Sequence, residues 1–89
     1  MVSMKFACPC CRLLTLSEQP PGTFAICPVC YWEDDPVQFE DLNFKGGANR
    51  VSLCQAKENF RRIGASSRKC LGLVRPAYES ELPAGDKGL

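Results

Sequence analysis

Cys8-Pro9-Cys10-Cys11 and Cys27-Pro28-Val29-Cys30 repeat one pattern, C-P-x-C, with fifteen residues between Cys11 and Cys27. In a C-x-x-C turn the two sulfurs converge while backbone N–H groups point at them, and proline after the first cysteine presets φ for the turn. Two such turns offer Cys8, Cys11, Cys27 and Cys30 as four thiolates, the complement of one tetrahedral, structural Zn2+. The C-x2-C-x15-C-x2-C spacing lies within the range of zinc sites. The same thiolates can also hold iron, as in a rubredoxin-like site. A filled four-thiolate shell keeps no open position, so zinc there would staple the chain rather than activate water.

Three further cysteines remain. Cys10 stands where Val29 stands in the second turn, which reads as the variable position of the motif. The sharper alternative is a spare ligand or a redox-sensitive thiol near Arg12. Cys54 and Cys70 are isolated, and Cys54 reads as a buried filler. The sequence contains no histidine, which excludes a Cys–His nucleophile pair, a Ser–His triad and a His-metal nuclease site. Glu33-Asp34-Asp35 offers adjacent carboxylates for a hard cation or a basic partner. Adjacent positions seldom converge on one ion, so the favoured reading is a turn. Its carboxylates would cap N–H groups or pair with Arg50, Arg61 or Arg62.

The elements that must position these groups are short. "MKFA" leads into the first cysteine turn and "RLLTL" leaves it. "SEQPPG" turns, and "TFAI" leads into the second, a pattern of small hairpins. "YWEDDPVQFEDLNFKGGAN" reads as a loop closed by Gly46-Gly47 and pinned by inward-packed Trp32, Phe39 and Phe44. Ser52-Leu53-Cys54-Gln55 is a capping box, with Val51 placed to staple onto Ala56. Leu53, Ala56, Phe60 and Ile63 follow at helical spacing, and Gly64 is the expected C-cap. Arg61 and Arg62 fall in the last turn, with Glu58 one turn before Arg62. "CLGLVRP" is a short strand or extended segment. The expected fold is small α+β and zinc-ribbon-like: short β-hairpins carrying two CPxC knuckles plus one amphipathic helix. It forms one zinc-stapled domain over residues 1–81, with a flexible tail at 82–89.

At 89 residues the chain is short for an unsupported core, and cysteine chemistry is the expected support. "MVSMKFACPC" has no continuous apolar run, so no export signal is expected, and no segment is apolar enough to span a bilayer. That places the chain in a reducing, cytoplasmic setting, where paired cysteines hold metals more often than disulfides. The net charge of +1 conceals a division: residues 1–44 balance at −4, residues 45–75 at +7, and the remainder at −2. Either the acidic and basic halves face each other or one faces a partner.

"CPCCRLLTL", "CPVCYWEDD" and "GGANRVSLCQAKENFRRIGAS", in that order, resemble the bacterial cysteine-rich CPCC family of small domains, from about Lys5 to about Pro76. The resemblance implies a zinc-binding domain with motif positions at Cys8, Cys11, Cys27 and Cys30. It extends these to Trp32, Glu33, Asp34 and Asp35, and to Asn49, Ser52, Leu53 and Asn59. Many members have glycine where this chain has Arg12.

Three functions compete. The first is a non-catalytic four-cysteine zinc module in protein–protein interaction, a class that includes immunity and antitoxin proteins. Its partner surface would draw on Glu33, Asp34, Asp35, Arg50, Arg61 and Arg62. The second is nucleic-acid binding through Arg50, Arg61, Arg62, Arg68, Lys69 and Arg75. The acidic first half and the lack of aromatics among those cations weigh against it. The third is a thiol-based redox sensor using Cys10, Cys54 or Cys70.

Overall fold

Strand β1 (Phe6–Ala7) carries the chain into the first cysteine turn and β2 (Leu14–Leu16) carries it out. The computed structural model describes residues 5–83. The two strands pair antiparallel, Phe6 opposite Leu16 and Ala7 opposite Leu14, with an irregularity between the pairs. Leu16 is buried in the core beside the cysteines, and Phe6 packs against that core.

The second turn has a looser frame than the expected hairpin. Ile26 and Glu33 form a single antiparallel bridge. Phe24 N–H donates to the Asp34 carbonyl and Asp34 N–H to that of Ala25. Thr23 gives both its N–H (2.9 Å) and its hydroxyl (2.8 Å) to Asp34 Oδ2.

The segment after Trp32 contains an element absent from the sequence reading, α1 (Pro36–Glu40). A helix of one turn is unstable alone, and here its ends are tied down. Asp35 Oδ1 accepts from Val37 N at 2.7 Å and Gln38 N at 3.3 Å, and Pro36 occupies the first turn, where it leaves no N–H unpaired. Asp35 Oδ2 accepts from Ala48 N at 2.8 Å, so the same carboxylate fastens the far end of the loop. A Cβ on Gly47 would meet Asp35 Oδ2 at 2.6 Å, which explains the glycine at that position. The Ala48 N–H foremost, with those of Val37 and Gln38, holds the Asp35 carboxyl below the usual carboxylate range. Asp35→Ala is expected to cost about 2 kcal/mol, at the upper end for a lost cap, read from the denaturant midpoint of the metal-loaded protein.

Trp32 is buried as expected, but Phe39 and Phe44 are both exposed. The anchor of this loop is Gln38. Its amide donates to the carbonyls of Phe44, Asn49 and Val51 at 3.0, 3.1 and 2.9 Å, and accepts from Asn49 N at 3.0 Å. Hydrophobicity could not identify a polar anchor.

Helix α2 (Leu53–Ile63) has the bounds that its caps imply. Ser52 Oγ accepts from Gln55 N at 3.1 Å, and Gly64 takes the left-handed conformation, with φ +81°, that closes a helix. The reciprocal half of the capping box is missing, because Gln55 Nε2 turns to Asn59 Oδ1 at 2.8 Å. Leu53 and Ala56 are buried and Phe60 packs against them, whereas Ile63 is exposed. Cys54 is also exposed, contrary to its reading as a filler. The last-turn ion pair joins Glu58 to Arg61 rather than to Arg62.

"CLGLVRP" forms no strand. Residues Arg68–Leu73 make a 3-10 helix, and a second short one follows at Glu79–Glu81. Arg75, between them in the chain, ties to the second, with Nη2 at 2.6 Å from Glu81 Oε2 and its guanidinium 3.8 Å over the Tyr78 ring. The expected tail at 82–89 lies outside the described residues from 84 onward. Among the described residues no helix is long and apolar enough to cross a membrane. The architecture is a small α+β fold built around a cysteine cluster.

Candidate metal centre

The two cysteine turns are built alike, atom for atom along the backbone. Cys8 N–H donates to the Leu13 carbonyl and Cys27 N–H to that of Trp32, both at 2.9 Å. Arg12 N–H returns to the Cys8 carbonyl and Tyr31 N–H to the Cys27 carbonyl, both at 2.8 Å. Cys10 N–H and Val29 N–H point at the sulfurs of Cys8 and Cys27, each at 3.4 Å. The internal repeat in the sequence is therefore a repeat of structure. Cys10 and Val29 are both buried at the matching position.

Each turn ends on a residue in the left-handed region, Arg12 and Tyr31, both with φ 69°. That conformation costs a non-glycine residue about 1–2 kcal/mol, and it explains why glycine suits the position that Arg12 occupies. Arg12→Gly is expected to raise stability by about 0.5–1 kcal/mol once the larger backbone entropy of glycine is deducted. A thermal melt of the metal-loaded protein measures it.

The turns bring Cys8, Cys11, Cys27 and Cys30 together, all buried, with their Sγ atoms within 4.8 Å of one another. Cys8 and Cys30 lie 3.6 Å apart, Cys11 and Cys27 3.7 Å apart. A disulfide needs about 2.05 Å, so these are four free thiols. Four sulfurs about 2.3 Å from a tetrahedral ion stand about 3.8 Å from each other. The two crossed pairs, each linking one turn to the other, match that edge closely. The donor set therefore fits a metal ion with an all-sulfur shell.

One hydrogen-bond partner of the cluster has no counterpart in the motif. Thr15, buried on β2, places Oγ1 3.0 Å from Cys27 Sγ, nearer than either backbone N–H. Its only signal in the sequence is a hydroxyl between Leu14 and Leu16, a polar side chain where the strand faces the core. Thiol hydrogen bonding from Cys11, Cys30 and Cys8, together with this hydroxyl, holds Cys27 far below the ordinary thiol range. Contact with Cys10 and then the other thiols pushes Cys30 up, and the bond to Cys27 pushes Cys11 up. A bound cation would stabilise all four as thiolates.

Other elements clamp the centre from outside. Ser66 N–H donates to the Cys30 carbonyl at 2.8 Å, and Asn59 Nδ2 from α2 holds the Ser66 carbonyl at 2.8 Å. Arg75 N–H reaches the Pro28 carbonyl at 3.2 Å. Asn49 Oδ1 accepts from Glu33 N and its Nδ2 donates to the Glu33 carbonyl, both at 2.8 Å, in place of a strand neighbour.

The acidic run is divided in role. Asp34 and Asp35 are buried and engaged by Thr23 and by the α1 N–H groups, so neither presents a surface to a partner. Among the described residues Asp34 Oδ1 alone is a buried side-chain polar atom without a partner. Glu33 is half-buried, while Arg50, Arg61 and Arg62 are exposed. None of the expected pairs between these carboxylates and Arg50, Arg61 or Arg62 forms among the described residues.

A family model described as Cysteine-rich CPCC matches residues 6–81. No curated protein matches the chain.

Proposed function

This chain belongs to the cysteine-rich CPCC family, and on that premise we propose that it is a non-catalytic, zinc-stapled module that binds another protein. The observation that carries the reading is the closed, buried set of four sulfurs from two superimposable turns. An all-sulfur tetrahedron is a structural arrangement, with every ligand position supplied by protein and none left for substrate. Zinc is favoured over iron because two C-x2-C turns at this spacing are a common structural zinc arrangement. In this reading the hairpin and the second turn form a zinc-ribbon-like knuckle pair in a cytoplasmic protein of immunity or antitoxin type.

Elemental analysis of the chain purified without added metal is expected to give one zinc per molecule. Iron in its place, with thiolate-to-iron absorption in the visible, overturns the zinc assignment. Affinity capture from the native host at physiological salt tests the second half. A stoichiometric protein partner lost on chelation is expected, and capture of nucleic acid alone overturns the protein-binding reading in favour of the basic 45–75 segment as a phosphate-binding surface. Capture of neither overturns both.

A further inference from the structure

Among the described residues only two ion pairs form, Arg61 with Glu58 and Arg75 with Glu81. Arg50, Arg62, Arg68 and Lys69 are exposed and belong to neither. They are not scattered. Arg50 and Lys69 line one cleft of about 230 Å3, and Arg62 and Arg68 line another of about 290 Å3. Val51 and Ser67 line both, so the clefts adjoin across a shared wall. Apolar surface lies at each, from Ile26 and Tyr31 in the first and Ile63 in the second.

We propose that this double cleft binds an extended acidic segment of a protein, with carboxylates meeting Arg50 and Lys69 on one side and Arg62 and Arg68 on the other, and an apolar side chain against Val51. The inference rests on the protein-binding reading above and assigns its surface. Three features select this occupant. Two adjoining clefts that share Val51 and Ser67 suit successive side chains of one extended chain. Both combine cations with apolar walls, the pairing that a mixed acidic and apolar segment satisfies and a bare anion does not. Tyr31 is the lone aromatic lining either cleft, too few for base stacking.

Arg61 is set apart from this surface by its pairing with Glu58. The basic character that matters is therefore the part of the basic segment that lines the two clefts.

The test uses the full metal-loaded chain and fluorescence anisotropy at low salt. The probes are a fluorescein-labelled decapeptide of alternating Glu and Leu, its Gln–Leu counterpart and an oligothymidylate of similar length. The acidic peptide is expected to bind and the Gln–Leu peptide not to. Arg50→Ala with Lys69→Ala, or Arg62→Ala with Arg68→Ala, is expected to weaken binding about tenfold or more. Lys5→Ala with Lys57→Ala removes the same charge elsewhere and is expected to change it little. Equal weakening by that control overturns the proposal, as does absent peptide binding or tighter binding of the oligothymidylate. So does a concentration-dependent dimer that Arg50→Ala with Lys69→Ala abolishes, since a second copy then occupies the face. A host protein still captured by that variant overturns this surface while leaving the interaction module intact.

Discussion

Cys27→Ser is expected to leave the chain without metal and without a stable fold. A structural zinc contributes about 10–16 kcal/mol of apparent binding free energy, as much as the whole stability of an ordinary domain, about 5–15 kcal/mol. Cys27 is also the sulfur with the most support, accepting from Val29 N–H and contacting the Thr15 hydroxyl. Its loss removes a quarter of the shell and puts a hard hydroxyl where a soft thiolate is needed. Cys8→Ser should act alike through the matching position of the first turn. Cys10→Ser should not, because Cys10 occupies the place of Val29 and stands outside the four-sulfur group. It is expected to retain full metal stoichiometry at a cost of about 1–2 kcal/mol for a polar hydroxyl among apolar neighbours. Co2+ titration reads the ligand set through thiolate charge-transfer bands, and circular dichroism with chelator reads the fold. Metal loss from Cys10→Ser as complete as from Cys27→Ser overturns the ligand assignment.

The contrast between those variants shows why the site was legible from sequence and much of its frame was not. Four thiolates and a metal obey short-range geometry, so the C-P-x-C repeat alone designates Cys8, Cys11, Cys27 and Cys30 as a group. Helix α2 was equally open to reading, because Ser52 and Gly64 are local signals whose chemistry acts within one turn. The surroundings depend on contacts between distant segments. Thr15 becomes a neighbour of the Cys27 sulfur only once β2 is brought to the second turn. Asp35 reads as a surface carboxylate until Ala48 is brought to it, and Phe39 and Phe44 read as anchors because hydrophobicity ranks them above Gln38. In a chain with little apolar core to spare, polar side chains do the anchoring, and hydrophobic patterning does not report them. The basic patch shares this limit: Arg61 and Arg62 are neighbours in sequence, yet Glu58 pairs with Arg61 and leaves Arg62 for the surface.

Gln38→Leu is the second substitution expected to have a large effect, and it tests that polar anchoring without touching the metal. Gln38 is fully buried. Leucine is close in size and favoured by hydrophobic transfer, so on apolar grounds alone the change would be neutral or stabilising. The hydrogen bonds decide otherwise. The Gln38 amide satisfies the carbonyls of Phe44, Asn49 and Val51, and its Oε1 accepts from both the Asn49 N–H and the Asn49 side chain at 2.9 Å. Removing it leaves several main-chain groups unpaired where water reaches poorly, at about 1–3 kcal/mol for each one that stays buried. Relaxation of the loop will satisfy some of them, so a net loss of about 3–5 kcal/mol is expected, in the range reserved for broken buried networks. Gln38→Glu separates shape from donor chemistry, since a carboxylate keeps the outline but offers no N–H to three carbonyls. Both variants should bind Co2+ with the tetrahedral thiolate spectrum of the parent, because no ligand is altered. Hydrogen exchange should show the segment from Phe44 to Val51 losing protection first, as its tether to α1 is cut. Parent-like stability for Gln38→Leu would mean that the loop is held by its apolar contacts after all.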